Sequence, residues 1–206
     1  MKVLLINGSP RGNKCTRTAL EIVGKELNAN GIDYEIFDVG SKPIQGCIGC
    51  GGCAKAGRCV FGGPVADVVP FAEQADGFVF GAPVHYATAA AGMLGFLHRL
   101  GCSAGRTLRH KPAAVITSAR RAGTTSALEA LEKVPQFYEM PLISSTYWPM
   151  VHGGKAEDVP GDAEGMQTMR NLGHNMAWML RCIEAGRAAG IEPPQAETAA
   201  RTNFVR

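Results

Sequence analysis

A chain of 206 residues, 46% of them hydrophobic, is long enough to bury one sizeable core, and no shift of composition marks a second. Its net charge of +3, spread over scattered lysines and arginines, supplies no basic face for nucleic acid. Without a bilayer-length run of about eighteen apolar residues, and with Met1 leading directly into strand residues, no membrane partner is expected and a soluble, cytoplasmic protein is.

Val3 to Ile6 is an apolar run too short for a helix, and it ends at Asn7-Gly8-Ser9-Pro10. From Thr16 the spacing of Leu20, Val23 and Leu27 predicts a helix closed by Gly31, and Tyr34 to Val39 a second strand. Residues 43–64, rich in Gly and Cys, read as a long loop. Val65 to Ala75 predicts a short helix, Gly77 to Gly81 a third strand ending at Ala82-Pro83, and Met93 to Leu100 a helix. Pro112 to Thr117 is expected as a fourth strand, Ser118 to Gly123 as a loop, Thr124 to Tyr138 as a helix and Leu142 to Ser145 as a fifth strand. A closing helix spans Gly161 to Ala188, its methionine stripe read as core. Strands alternating with helices predict an α/β fold, a doubly wound parallel sheet of five strands with helices on both faces. Residues 1–190 are expected to form one domain and 191–206 a tail, ending in Asn203-Phe204-Val205-Arg206, that frays or lies on another subunit.

In such a sheet the ligand lies beyond the carboxyl ends of the strands, at the switch point beside strand one. Strand one delivers a loop with Ser9, Arg11, Cys15 and Thr16 into a helix N-terminus, whose free N–H groups and positive dipole suit an anion, phosphate above all. The spacing around Lys14 excludes a Walker A loop, and Gly-x-Gly-x-x-Gly is absent. Strand three delivers Pro83, Val84, His85 and Tyr86. Strand four delivers Ser118, Arg120 and Gly123. Three loops are thereby brought to one edge. Cys15, at a helix N-terminus beside Arg11, reads either as a thiol of lowered pKa or as a plain loop residue.

Gly-Ser-Pro-Arg followed by Thr16 resembles the FMN phosphate loop of the NAD(P)H-dependent FMN reductases of the flavodoxin-like superfamily. Pro83 to Arg99, PVHYATAAAGMLGFLHR, resembles that family's second flavin loop and the helix after it. Pro83, Val84, Tyr86 and Arg99 match, whereas His85 replaces a Tyr and His98 the Asp of an Asp-Arg pair. The resemblance implies FMN, its phosphate in the first loop and its ring between the second and third.

Seven cysteines in a cytosolic chain read as ligands, reactive thiols or core residues rather than disulfides. Cys47, Cys50, Cys53 and Cys59 follow a two-two-five spacing among glycines that let a backbone wrap an ion or cluster. A 4Fe-4S cluster, free redox-active thiols and zinc all remain open on spacing alone. The run resembles the compact motif of iron-sulfur flavoproteins, a branch of the same family. Cys102 and Cys182 read as core or surface residues without a ligand role.

The resemblance implies an FMN-dependent oxidoreductase, a homodimer or homotetramer, that takes electrons from NAD(P)H or from a ferredoxin and passes them to a small-molecule or protein acceptor. The rivals are a non-enzymatic electron-transfer flavoprotein with a 4Fe-4S cluster and a thiol-based redox protein. Arg120-Arg121 reads as a flavin or nicotinamide contact or as solvated surface. Tyr147 to Gly154 reads as cover for a partner's flavin or as a core edge.

Overall fold

The structure is a computed structural model that describes residues 1–202 and 204. Its sheet runs β2 (Asp33–Asp38), β1 (Lys2–Asn7), β3 (Gly77–His85), β5 (Ala113–Ala119) and β6 (Met150–His152), all parallel, while the two-residue β4 (Thr88–Ala89) turns back antiparallel on β3. This is the doubly wound flavodoxin-like order with its switch point between β1 and β3.

The central strands are apolar on both faces, as a sheet covered twice requires. Val3, Leu5, Val79, Ala114 and Ile116 pack under α1 (Cys15–Ala29) and α7 (Ala163–Ala188), against Leu20, Val23, Leu27, Leu172 and Met176. Leu4, Ile6, Phe78, Phe80 and Val115 pack under α5 (Ala91–Ala104) and α6 (Thr124–Phe137), with Phe96, Leu100, Leu128 and Leu131. Met169 and Met176 are fully buried, so the methionine stripe is core.

Four boundaries differ from expectation. The helix over 65–75 is two short ones, α3 (Pro64–Asp67) and α4 (Val69–Gln74), because Pro70 lacks the N–H that a continuous helix needs. The 43–64 loop contains one turn of helix, α2 (Gly52–Ala56), entered and left by Gly51 and Gly57 in left-handed conformation. β3 and β5 run further than predicted, so Pro83, Val84, His85 and Ser118 lie on strands rather than in loops.

The fifth strand is displaced. Leu142 makes only an isolated bridge to Ala113, and the chain rejoins the sheet at Met150–His152. Between them α7 takes up the segment's polar groups. Asn175 donates to the Ser144 carbonyl (2.8 Å), Ser145 donates to the Thr168 carbonyl (2.7 Å) and Asn171 donates to the Thr146 hydroxyl (3.0 Å). Those bonds draw residues 144–148 off the sheet and open a cavity of about 420 Å³ lined by Val115, Leu142, Tyr147 and Trp148.

After Gly190 the described tail is exposed and irregular. Phe204 is exposed, and the remaining expected tip residues Asn203, Val205 and Arg206 lie outside the described residues.

Candidate functional site

The first loop is held from below by Asn7, the fully buried last residue of β1. Its side-chain carbonyl accepts from Ser9 N–H (3.1 Å), while its amide donates to the Gly12 carbonyl (3.1 Å) and to Asp38 (2.8 Å) at the end of β2. Sequence reasoning missed Asn7, although an Asn closing a strand before Gly is the signal of an Asx turn.

The helix that follows opens at Cys15. Lys14 stands at its N-cap with no side-chain hydrogen bond, and its first turn holds no acid. The leading N–H groups are left to an incoming anion. Arg11 lies exposed beside them and makes no ion pair among the described residues. The two hydroxyls singled out for phosphate already have protein partners. Ser9 Oγ accepts from Arg11 N–H (3.3 Å), and Thr16 Oγ1 lies 2.8 Å from Ser118 Oγ, both buried. Ser9 Oγ also donates to the Arg11 carbonyl (3.3 Å), so its proton is committed and only a lone pair is left, whereas the Thr16–Ser118 pair keeps one proton for a further acceptor.

The lowered pKa expected for Cys15 is corrected. Burial, opposed by its backbone N–H environment, pushes the thiol up. The thiol donates to the carbonyls of Lys155 (3.2 Å) and Gly153 (3.4 Å), tying the first loop to the segment after β6. Its side chain is structural. Asp162 continues the tie, accepting from His152 N–H (2.7 Å) while capping α7 through Gly165 N–H (2.9 Å).

The second loop is a hairpin between β3 and β4, with His85 paired to Thr88 and both turn residues, Tyr86 and Ala87, at positive φ (51° and 59°). Two left-handed positions match the twist of a hairpin, but without glycine they cost of order 1–3 kcal/mol each, a strain that collects at functional sites. Tyr86 projects fully into solvent. His85 lines a cavity of about 350 Å³ together with Gly8, Pro10, Gly40 and Ala91. Arg120 and Arg121 are exposed at the head of the third loop. Gly123, at φ 88°, lets that loop lie on the hairpin, where an added Cβ would meet Ala87 Cα at 2.7 Å and Val84 Cγ1 at 2.9 Å. The three predicted loops are thus assembled side by side at the carboxyl edge of the sheet.

The cysteine segment lies along α5. Gly95 admits it, since a Cβ there would stand 3.0 Å from the Ile44 carbonyl. Cys47, Cys50, Cys53 and Cys59 line one small apolar cavity with Ile48, Val60, Phe61, Arg99 and Cys102. Cys102 was not expected there. Burial and the neighbouring Cys47 thiol push its pKa up, and its carbonyl accepts from the Cys53 thiol (3.4 Å). Only the packing of α5 places it, because no spacing links Cys102 to the loop. Cys182 is exposed on α7, away from this cavity. Among the described residues no three His, Cys, Asp or Glu side chains are arranged to hold a single metal ion. The donor set nonetheless suits a multi-iron cluster. Cys47, Cys50, Cys53 and Cys59, joined by Cys102, line one cavity, and Gly49, Gly51 and Gly57 at positive φ give the backbone the turns that wrapping requires.

Set beside known proteins, the sequence profile of the NADPH-dependent FMN reductases matches residues 1–155. The chain belongs to that family. An iron-sulfur flavoprotein of Methanocaldococcus jannaschii is 28% identical over 196 residues, covering 89% of this chain and all of that one. Among solved structures, RosB with bound 8-demethyl-8-formylriboflavin-5′-phosphate has a TM-score of 0.66 at 15% identity, over 99% of this chain and 92% of its own. An NADH:FMN oxidoreductase in its apo form has a TM-score of 0.64 at 16% identity, over 86% and 89%. These structural likenesses bear on the fold. As an FMN reductase family member, the chain is an oxidoreductase of FMN-dependent type, and no helix among its described residues is long and apolar enough to cross a membrane.

Proposed function

We propose that this chain binds FMN across its three carboxyl-edge loops, carries a 4Fe-4S cluster on Cys47, Cys50, Cys53 and Cys59, and passes electrons from NAD(P)H or a ferredoxin to an acceptor. The observation that carries the reading is the joint presence of an uncapped helix N-terminus beside the free Arg11 and, on the same chain, four cysteines around one cavity. FMN would supply hydride acceptance from nicotinamide and one-electron exchange, and the cluster one-electron storage. The protein's part is binding and orientation. The α1 N–H groups of Cys15 and Thr16 and the Arg11 guanidinium hold the phosphate, with Ser9 shaping the loop. Pro83, Val84, His85 and Tyr86 bound the ring on one side, and Ser118, Arg120 and Gly123 on the other. No general acid or base is assigned, since hydride transfer needs stacking and placement.

Assembly belongs to the same proposal. Eight to eleven residues of α5 separate Ala91, beside the hairpin, from Arg99 and Cys102 at the cysteine cavity, about 12–16 Å at 1.5 Å per residue. Around the cavity Ile48, Val60, Phe61 and Phe137 are all more than half exposed, an apolar rim that suits a second subunit. A homodimer or homotetramer with the cysteine loop near a partner's flavin follows, in keeping with the two-fold symmetry of most soluble oligomers. The alternative of a carrier that never meets nicotinamide is separated kinetically. Anaerobic stopped-flow reduction by NADH, NADPH and reduced ferredoxin is expected to bleach the flavin band with a nicotinamide. Reduction by ferredoxin alone would favour the carrier, and purified protein without flavin absorption would sink both readings.

A further inference from the structure

The arginine of the cysteine cavity stands out. Arg99, on α5, is 6% exposed. A guanidinium is a permanent cation, and burying a charge without a partner is among the costliest things a fold can do. Yet no carboxylate among the described residues lies within 4.0 Å of it. The preceding residue, His98, is exposed. The partners of Arg99 are two. Its Nε donates to Cys59 Sγ at 3.2 Å and its Nη2 donates to the Gly62 carbonyl at 2.7 Å, while the Phe61 ring lies 5.9 Å away. A neutral thiol is a weak acceptor and offers no countercharge, whereas a thiolate offers both. Among the residues that line the cavity with it there is no carboxylate, and five are cysteines, which a bound iron cluster would hold as thiolates.

We infer that Arg99 is a positioning residue of the cysteine site: it supplies a fixed, buried countercharge beside the cavity, anchors Cys59, and raises the reduction potential of a cluster held there. The inference rests on the cluster reading above. Adding one electron, without a proton, makes a thiolate-held cluster one charge more negative. A buried cation donating to one of its sulfurs therefore favours the reduced state, and hydrogen bonds to ligand sulfurs act in the same direction. The second bond, to Gly62, fixes the guanidinium across the loop that carries Cys59 and so opposes release of that ligand.

Three proteins test it: wild type, Arg99→Gln and Arg99→Lys, purified without oxygen and reconstituted with iron and sulfide. Iron per chain, iron loss to a chelator, and an EPR-monitored dithionite titration are read on each, with FMN titration reporting whether the fold is intact. Gln is expected to lower the reduced-to-oxidised ratio at a fixed potential at least tenfold, which is 59 mV for one electron, and to lose iron several-fold faster. Lys, keeping the charge but losing the fork, is expected to hold the ratio within about threefold while still losing iron faster. Wild-type titration curves and wild-type iron retention in Gln, with FMN binding intact, would overturn the inference. Should Gln fail to bind FMN, Lys decides alone, and unchanged iron retention in it overturns the inference. A wild type that takes up no iron overturns the cluster reading and this one with it, whereas an iron-loaded wild type with indifferent variants overturns this one alone.

Discussion

Thr16 Oγ1 and Ser118 Oγ face each other at 2.8 Å, fully buried, joining the first turn of α1 to the end of β5. One of the two hydroxyls donates and the other accepts, so deleting either leaves its partner unsatisfied. Thr16→Val is expected to destabilise the protein by about 1–3 kcal/mol, the cost of an unmade buried hydrogen bond. Thr16→Val with Ser118→Ala is expected to cost less than the sum of the singles, because neither orphan remains. Urea denaturation of the four proteins measures this coupling. Strict additivity would show that the two hydroxyls do not act as a pair.

Arg11 is exposed in the first loop and, like Lys14, has no side-chain partner among the described residues, so its removal disturbs few protein contacts. Arg11→Ala is expected to weaken FMN by about 1.5–3 kcal/mol, the usual worth of a hydrogen bond to a charged group. Riboflavin, lacking the phosphate, is expected to bind wild type far more weakly than FMN does. Fluorescence titration checks both, and wild-type FMN affinity in the variant would remove this loop from the site.

Cys15 gives alkaline pH a specific effect. Its folded pKa is raised, chiefly by burial, so the native state holds the thiol proton where the unfolded chain releases it. The stability it contributes is complete below the ordinary thiol value of about 8.5 and is lost as pH rises through the native value. Denaturation at about pH 7 and about pH 9.5 is expected to show wild type losing more stability than Cys15→Ala over that interval. Equal losses would mean that the thiol ionises alike in both states.

Gly123 holds the third loop against the hairpin at φ 88°, with 2.7 Å between a built Cβ and Ala87. Gly123→Ala combines a left-handed alanine with a clash against backbone, and is expected to destabilise by more than about 1 kcal/mol. It is also expected to weaken FMN, since the second and third loops must part. Calorimetry with FMN titration is the check, and an unaltered Tm would refute the crowding.

The five cysteines of the cavity divide by role under the proposed function. Serine in place of Cys47, Cys50, Cys53 or Cys59 is expected to cost most of the bound iron, while Cys102→Ser retains it, four thiolates being enough for one cluster. Iron assay of the anaerobically purified variants decides. Loss of iron from Cys102→Ser would exchange its role with one of the four.

The central strands and the first loop with its helix were legible in the sequence because their causes are local. Val3 to Ile6 is apolar on both faces, which only a doubly covered strand needs, and the step from Asn7 through Gly8 and Ser9 to the helix at Cys15 is written in turn chemistry and helical spacing. The same holds for the two-residue spacing of Cys47, Cys50 and Cys53. Tertiary structure alone decided the rest. Residues 142–145 have a strand's composition, but Asn171 and Asn175 of α7 take up polar groups of residues 144–146 and move the edge strand to Met150–His152. Cys15 has a helix N-terminus and a nearby arginine, features that lower a thiol's pKa, yet contact with residues 153–155 buries it and the shift reverses. Arg99 and Cys102 reach the cysteine loop only because α5 lies beneath it, more than thirty residues away along the chain. Local signals fix what a segment can become, whereas the charge, burial and partners of a side chain are set by whichever distant element packs against it.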